Sequence, residues 1–268
     1  MLTSRSDLSA GLRLWRTRRR VSQLELAIRA GTTQRHVSFI ESGRSLPGRE
    51  MVIRLAESLQ VPLRDRNELL LAGGYAPAYD ETPYDGPGLG AIRTALTAIL
   101  DGHRPYPAVV VDRRGDLVLA NGSFHALTTG VSERLLTSPV NIPRLLLDPA
   151  GLAPRIVNLD QWAWHVIDAL TREAALNPDA AADALIEELT AVVPPRPPSG
   201  PEHLGFAVPL RLRSEQGELR LITTLTRFGT AIDVTVSELR MEAFLPADEP
   251  TATALRELDH TMLQRVGV

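Results

Sequence analysis

The chain has 268 residues, 44% hydrophobic and 23% charged, the balance of a globular protein with room for two modest domains. It contains no cysteine, which excludes disulfides, thiolate zinc sites and a cysteine nucleophile. Its net charge of −3 divides into +6 over residues 1–75 and −9 over the remainder, so one end suits a polyanion and the other does not. All 29 basic residues are arginine, a usage that a GC-rich genome also produces. No run of about 18 apolar residues exists and no apolar leader follows the Arg-rich start, so a cytoplasmic, nucleoid-associated protein without a membrane partner is expected.

Helical spacing of Leu8, Leu12 and Trp15 predicts a first helix from Asp7 to Arg20. Ser22-Gln23-Leu24-Glu25 then fits a capping box, with the Ser hydroxyl on the Glu amide and the Glu carboxylate reaching back. The second helix so begun runs to Ala30, where Gly31 supplies the freedom to stop and turn. Thr33 caps a third helix, Gln34 to Ser42, which turns Val37 and Ile40 inward and leaves Gln34, Arg35 and Ser38 on a polar face. Counted from Gln23, the small Ala27 falls at position five, Gly31 at nine, and the branched Val37 and Ile40 at fifteen and eighteen. A helix-turn-helix needs that combination, because the two helices cross closely at the small residue and are sealed by the apolar pair. Helices at Arg49–Leu59 and Leu63–Ala72 complete a five-helix domain.

The runs Arg16–Ala27 (RTRRRVSQLELA) and Ala30–Arg44 (AGTTQRHVSFIESGR) resemble the Xre family, related to the phage lambda-type repressors. The resemblance implies that the third helix enters the major groove of double-stranded DNA. Gln34 and Arg35 are then the leading base readers, since the Gln amide matches adenine and the Arg fork matches guanine, with His36 and Ser38 behind them. Gln23 and Arg44 carry over as phosphate contacts, and Arg19 is a further candidate beside the reading of Arg18, Arg19 and Arg20 as a solvated face. Arg16 and Glu41 match a structural ion pair of the phage repressors, and His36 has a local hydrogen-bonding alternative.

From Gly73 to Gly90 the chain is rich in Pro, Gly and Tyr, which marks residues 76–90 as a linker between a DNA-binding domain at 1–75 and a second domain at 91–268. Leu89–His103 reads as a helix, Tyr106–Arg113 and Leu117–Asn121 as a strand pair, and Gly122–Thr129 as a short helix. Helical pattern returns at Ile142–Leu147, Leu159–Ala175 and Ala180–Val193, before a Pro-rich break from residue 194. Three strands follow, Leu204–Arg213, Glu218–Arg227 and Ala231–Arg240, then a C-terminal helix, Thr251–Val266, with Thr251 or Thr253 as its cap.

Two strands, a helical excursion and a three-strand meander give the chain order of a PAS-like fold. The expected class is α+β, an all-α five-helix lambda-repressor-like domain followed by a five-stranded antiparallel sheet with helices. The segment Val109–Gly122 (VVVDRRGDLVLANG) is similar to a PAS opening hairpin, and YPAVVVD at Tyr106, NLDQW at Asn158, FGTAIDVT at Phe228 and AFLPAD at Ala243 resemble the MmyB-like regulators. That resemblance implies a hydrophobic, fatty-acid-like effector held without covalent attachment, and no other cofactor. Val109, Val111, Leu210, Leu221, Thr223 and Val234 on the sheet, with Trp162, Val166 and Ile167 on a helix, would wall its cavity. Trp162, His165, Phe206 and Phe228 are candidate lining residues, with plain core as the alternative for each, and Asn121 and Asp233 are candidate polar anchors or backbone-bonding turn residues.

A catalytic reading finds no support, since the six histidines lack metal-ligand spacing, no nucleophile elbow or phosphate loop occurs, and Ser123 with His125 is too short a coincidence for a dyad. No catalytic or metal residues are assigned. Two readings stay open: a homodimeric regulator on a palindromic operator that senses a hydrophobic effector, and a DNA-binding scaffold whose second domain only dimerises or holds a protein partner.

Overall fold

A computed structural model describes residues 5–198, 208–228 and 232–266 of the chain. Its Cα positions group into two units, Met1–Tyr84 with Gly229–Ser237, and Asp85–Phe228 with Glu238–Val268. Among the described residues no helix is long and apolar enough to cross a membrane.

The first unit is built from α1 (Arg5–Arg18), α2 (Gln23–Arg29), α3 (Gln34–Glu41), α4 (Arg49–Ser58) and α5 (Leu63–Ala72). Leu8, Leu12, Leu26, Ala27, Val37, Ile40, Val52, Leu55 and Leu70 are at most 1% exposed and make its core. The first helix stops at Arg18, short of the expected Arg20, because Arg20 takes a left-handed φ of +54°. Its amide then reaches the Thr17 carbonyl while the Val21 amide reaches Arg16, a closure that satisfies the last carbonyls of the helix. Gly31, Gly43, Gln60 and Gly74 close the next four helices the same way. Ser22 Oγ accepts the Glu25 amide as expected, but the Glu25 carboxylate pairs with Arg29 at 2.8 Å, so only half of the capping box forms. Thr33 Oγ1 accepts from the His36 amide and starts α3.

The connection between the helices and the second unit is fastened by Asn67, whose carboxamide accepts from the Ala78 and Tyr79 amides and donates to the Tyr79 carbonyl. The segment expected as a strand at Ala231–Arg240 is different. Val234–Glu238 is a short helix, and its Val234 amide donates to the Asp80 carbonyl within the first unit. The alternating Ile232-Asp-Val-Thr-Val imitates a strand, but the Asp233 carboxylate takes the Val236 and Thr82 amides and turns the backbone instead.

In the second unit α6 (Gly90–Gly102) precedes β1 (Ala108–Val111) and β2 (Leu117–Ala120). The excursion holds α7 (Gly122–Leu127), α8 (Glu133–Leu136), α9 (Ile142–Leu147), α10 (Leu159–Leu176) and α11 (Ala180–Val192). Then come β3 (Leu210–Ser214), β4 (Gly217–Arg227), α12 (Val234–Glu238, grouped with the first unit as far as Ser237), β5 (Arg240–Pro246) and α13 (Glu249–Val266). The five strands form one antiparallel sheet in the order β2-β1-β5-β4-β3, with β1 and β4 both paired to β5. The final strand therefore lies centrally and at 240–246, beyond the segment expected for it. Asp248 Oδ1 caps α13 through the Thr251 amide, while Thr251 Oγ1 accepts from Arg220, so neither expected threonine is the cap. Val109, Val111, Leu210 and Leu221 are fully buried in the core under the helices.

Candidate functional site

Glu41 organises the helix-turn-helix. Its side chain is 4% exposed and accepts from Arg16 Nε at 2.6 Å, from Arg16 Nη2 at 2.9 Å and from Gln23 Nε2 at 2.8 Å, joining α1, α2 and α3 at one carboxylate. The two-pronged hydrogen bond to Glu41 raises the Arg16 pKa above its ordinary value, against the opposing pull of burial. The ion pair expected for Arg16 is present, and Gln23 is tied into it by one amide hydrogen.

Gln34 and Arg35 stand exposed on the first turn of α3, while Val37 and Ile40 anchor its other face. The Arg35 guanidinium lies 5.2 Å over the Phe39 ring and that of Arg44, from the following loop, 5.9 Å from the same ring. One aromatic thus positions a candidate reader and a candidate phosphate contact together. Its i, i+4 spacing from Arg35 on the expected helix was the available signal for that role, and it was missed. His36 Nδ1 is 2.9 Å from Thr32 Oγ1, the local bond foreseen for it, and Ser38 is half-buried on the same helix. Arg19 is committed within the unit, where Nε and Nη2 donate to the carbonyls of Leu59 and Gln60 at 3.1 Å and the guanidinium lies over Trp15.

Arg44 is exposed and projects from the loop after α3. Arg44→Ala is expected to weaken specific and random DNA alike and to reduce the slope of log K against log salt by about 1, the share of one phosphate. Binding measured at several salt concentrations checks this, and an unchanged slope removes Arg44 from the phosphate contacts.

The second unit contains a cavity of about 250 Å³ between the sheet and the helices. One face of α10 lines it through Trp162, His165, Val166, Ala169, Leu170, Glu173 and Ala174, an i, i+3, i+4 series that the C-capping Asn177 continues. Alternate residues of two strands form the opposite wall, Thr223, Leu225 and Arg227 on β4 and Arg240, Glu242 and Phe244 on β5. Ile142 and Leu146 of α9 and Ala182 and Leu185 of α11 close it. The Trp162 and His165 rings lie 5.2 Å apart at 30°.

Charges gather where the C-terminal turns of α10 meet the strands. Arg227 pairs with Glu173 at 2.6 Å, Arg114 with Asp179 at 3.2 Å and Arg240 with Glu242 at 3.1 Å. Arg113 donates to the Asn177 and Pro178 carbonyls. Burial pushes the Glu173 carboxyl up, but the Asn177 amide and Arg227 outweigh it and hold it below its ordinary value. At Asp179 burial is likewise overcome, by the Ala181 amide and Arg114.

Among the residues read as its wall, Trp162, His165, Val166 and Thr223 line the cavity, but Ile167 lies in the core. Asn121 is not a ligand anchor: 2% exposed, it caps α7 through the Phe124 amide, takes the Ala108 amide and donates to the Leu100 and Tyr106 carbonyls, so its amide is spent. Asp233 is occupied as a cap in the first unit, and Val234 lies there with it. Phe228 is half-buried and lies outside the cavity lining, while Phe206 falls outside the described residues. Arg113, Arg227, Arg240, Glu173 and Leu225 were missed, because strand register and the approach of α10 bring them together. Ser123 Oγ donates to Asp259 at 2.8 Å, and among the described residues no group of three His, Cys, Asp or Glu is placed to hold a metal.

A helix-turn-helix in one unit and a lined cavity in another define a DNA-binding regulator with a ligand-binding domain. The family model for the MmyB-like transcription regulator ligand binding domain matches residues 92–258, and one described as helix-turn-helix matches residues 12–65. The chain belongs to the MmyB-like transcription regulators. Among curated proteins no relative matches it.

Proposed function

We propose that the protein is a homodimeric transcription regulator that reads a palindromic operator through α3 and answers to a compact, fatty-acid-like hydrophobic molecule held in the cavity of its second unit. Residues 1–75 hold DNA, 76–90 connect, and 91–268, apart from the segment 229–237 that groups with the first unit, form a PAS-like domain that binds the ligand and dimerises. The observation that carries the sensing is the cavity, whose walls away from the ion pairs are Ile142, Leu146, Val166, Leu170 and Leu185. The strand order 2-1-5-4-3 supports the PAS-like assignment. At about 250 Å³ it offers roughly eight water volumes of ~30 Å³, a space for a small ligand. The chain path supplies a route to DNA: β4 and β5 both line the cavity, and the segment between them, Gly229–Ser237, groups with the DNA-binding unit. A ligand that favours one arrangement of those strands therefore biases that unit.

Native mass spectrometry of gently purified protein is expected to show an apolar small molecule. Ala182→Phe, which puts a ring into the cavity, is expected to lower its occupancy at least tenfold without lowering DNA affinity of the ligand-free form. An empty cavity, with DNA affinity unmoved by lipid extract, would instead support a scaffold that only dimerises or holds a protein partner.

A further inference from the structure

Two residues on the cavity wall each carry a buried polar atom that the protein leaves without a hydrogen bond. Trp162 is 2% exposed and its Nε1–H is buried without a hydrogen-bond partner, and the Thr223 hydroxyl is buried in the same condition. Both residues line the cavity. The neighbouring indole is answered: Trp164 donates to the Pro194 carbonyl at 2.9 Å. Buried polar atoms are nearly always bonded, so an orphaned indole N–H and an orphaned hydroxyl on residues that line one cavity point to a ligand that completes them.

The charged groups of the same cavity are already matched. Arg114, Arg227 and Arg240 each have a carboxylate partner, and Arg113 has two carbonyls and Glu238. A ligand carboxylate would have to share one of these guanidiniums with the carboxylate already on it. The orphans stand apart from most of them, the nearest being Glu242, whose pairing with Leu225 lies about 7 Å along the sheet from the Thr223–Phe244 pair. Along α10 Trp162 precedes Glu173 by about 16 Å at 1.5 Å per residue, and on the sheet the Thr223–Phe244 pair lies about 13 Å from the Arg227–Arg240 pair.

We infer that the ligand of this cavity carries an uncharged oxygen, as in a ketone, ester, lactone or alcohol, seated against Trp162 Nε1–H and Thr223 Oγ1, with its hydrocarbon part along Leu146, Val166 and Leu170. The indole is a donor only and the hydroxyl is both donor and acceptor, so a carbonyl oxygen accepts from either and a ligand hydroxyl accepts from Trp162. This rests on the ligand-cavity reading above and narrows its fatty-acid-like ligand to a neutral relative of one.

The test is calorimetric titration of the full-length protein at pH 8 with three eight-carbon probes, 2-octanone, 1-octanol and sodium octanoate. The ketone and the alcohol are expected to bind at least tenfold more tightly than octanoate. Trp162→Phe and Thr223→Val are each expected to weaken 2-octanone about fivefold, and Thr223→Ser to retain it. Thermal melting confirms folding, and should Trp162→Phe fail to fold, the two Thr223 variants decide. Octanoate binding as tightly as the ketone, or folded variants with unchanged ketone affinity, overturns the inference and leaves the ligand cavity standing. Binding of none of the probes overturns both.

Discussion

Glu41→Ala is expected to destabilise the first unit by about 3 kcal/mol. The carboxylate is 4% exposed and its partner Arg16 16%, so alanine leaves a largely buried guanidinium with only the Val21 carbonyl to receive it. Gln23 loses its acceptor in the same step. Removing one member of a buried ion pair costs about 3–5 kcal/mol, and the partial exposure of Arg16 sets the lower end. A surface bridge would cost at most about 1 kcal/mol. Urea unfolding of the full chain, followed by circular dichroism, separates the two. Adding Arg16→Met should recover part of the loss, because the uncompensated charge then disappears with its partner. Recovery is absent if Glu41 acts only through Gln23. DNA affinity should fall along with stability, since α2 and α3 meet at this carboxylate.

The second large effect falls on discrimination. Gln34→Ala and Arg35→Ala are each expected to remove about 1–3 kcal/mol of preference for the operator over random DNA, as a bidentate base contact is worth that much. Both side chains are exposed on the first turn of α3, and neither is needed for the core that Val37 and Ile40 form. Stability should stay within about 0.5 kcal/mol. Competition binding against scrambled sequence checks this, and equal losses on both DNAs would reassign the residues to the phosphate backbone. Phe39→Leu provides a related readout, because it removes the ring under Arg35 and Arg44 while keeping an apolar side chain.

The helix-turn-helix was legible because its constraints are local. A cap at Ser22, a small residue at Ala27, a left-handed Gly31 and a cap at Thr33 are each decided within a few residues, and the structure realises all of them. The lining face of α10 was half legible, since Trp162 and Val166 share a helical stripe. The rest of the cavity was not. Which residues of β4 oppose those of β5 depends on register, and Thr223 faces Phe244 only because β5 runs from Arg240, well past the alternating segment that resembled it. Asp233 illustrates the physical reason. Its carboxylate bonds the amide of Thr82, far away in sequence, and that pairing turns a strand-like pattern into a helix.

By itself the sequence determined the α+β class, the basic DNA-binding end, the caps and turn of the helix-turn-helix and the absence of thiol chemistry, because composition, charge and short-range backbone bonding decide these without reference to distant residues. Only the tertiary structure decided that Asn121 and Asp233 serve the backbone, that four arginines at the cavity are already matched, and that Trp162 and Thr223 are not. Such facts depend on which polar atoms meet across long separations, and burial alone turns an ordinary indole and hydroxyl into groups that require a partner.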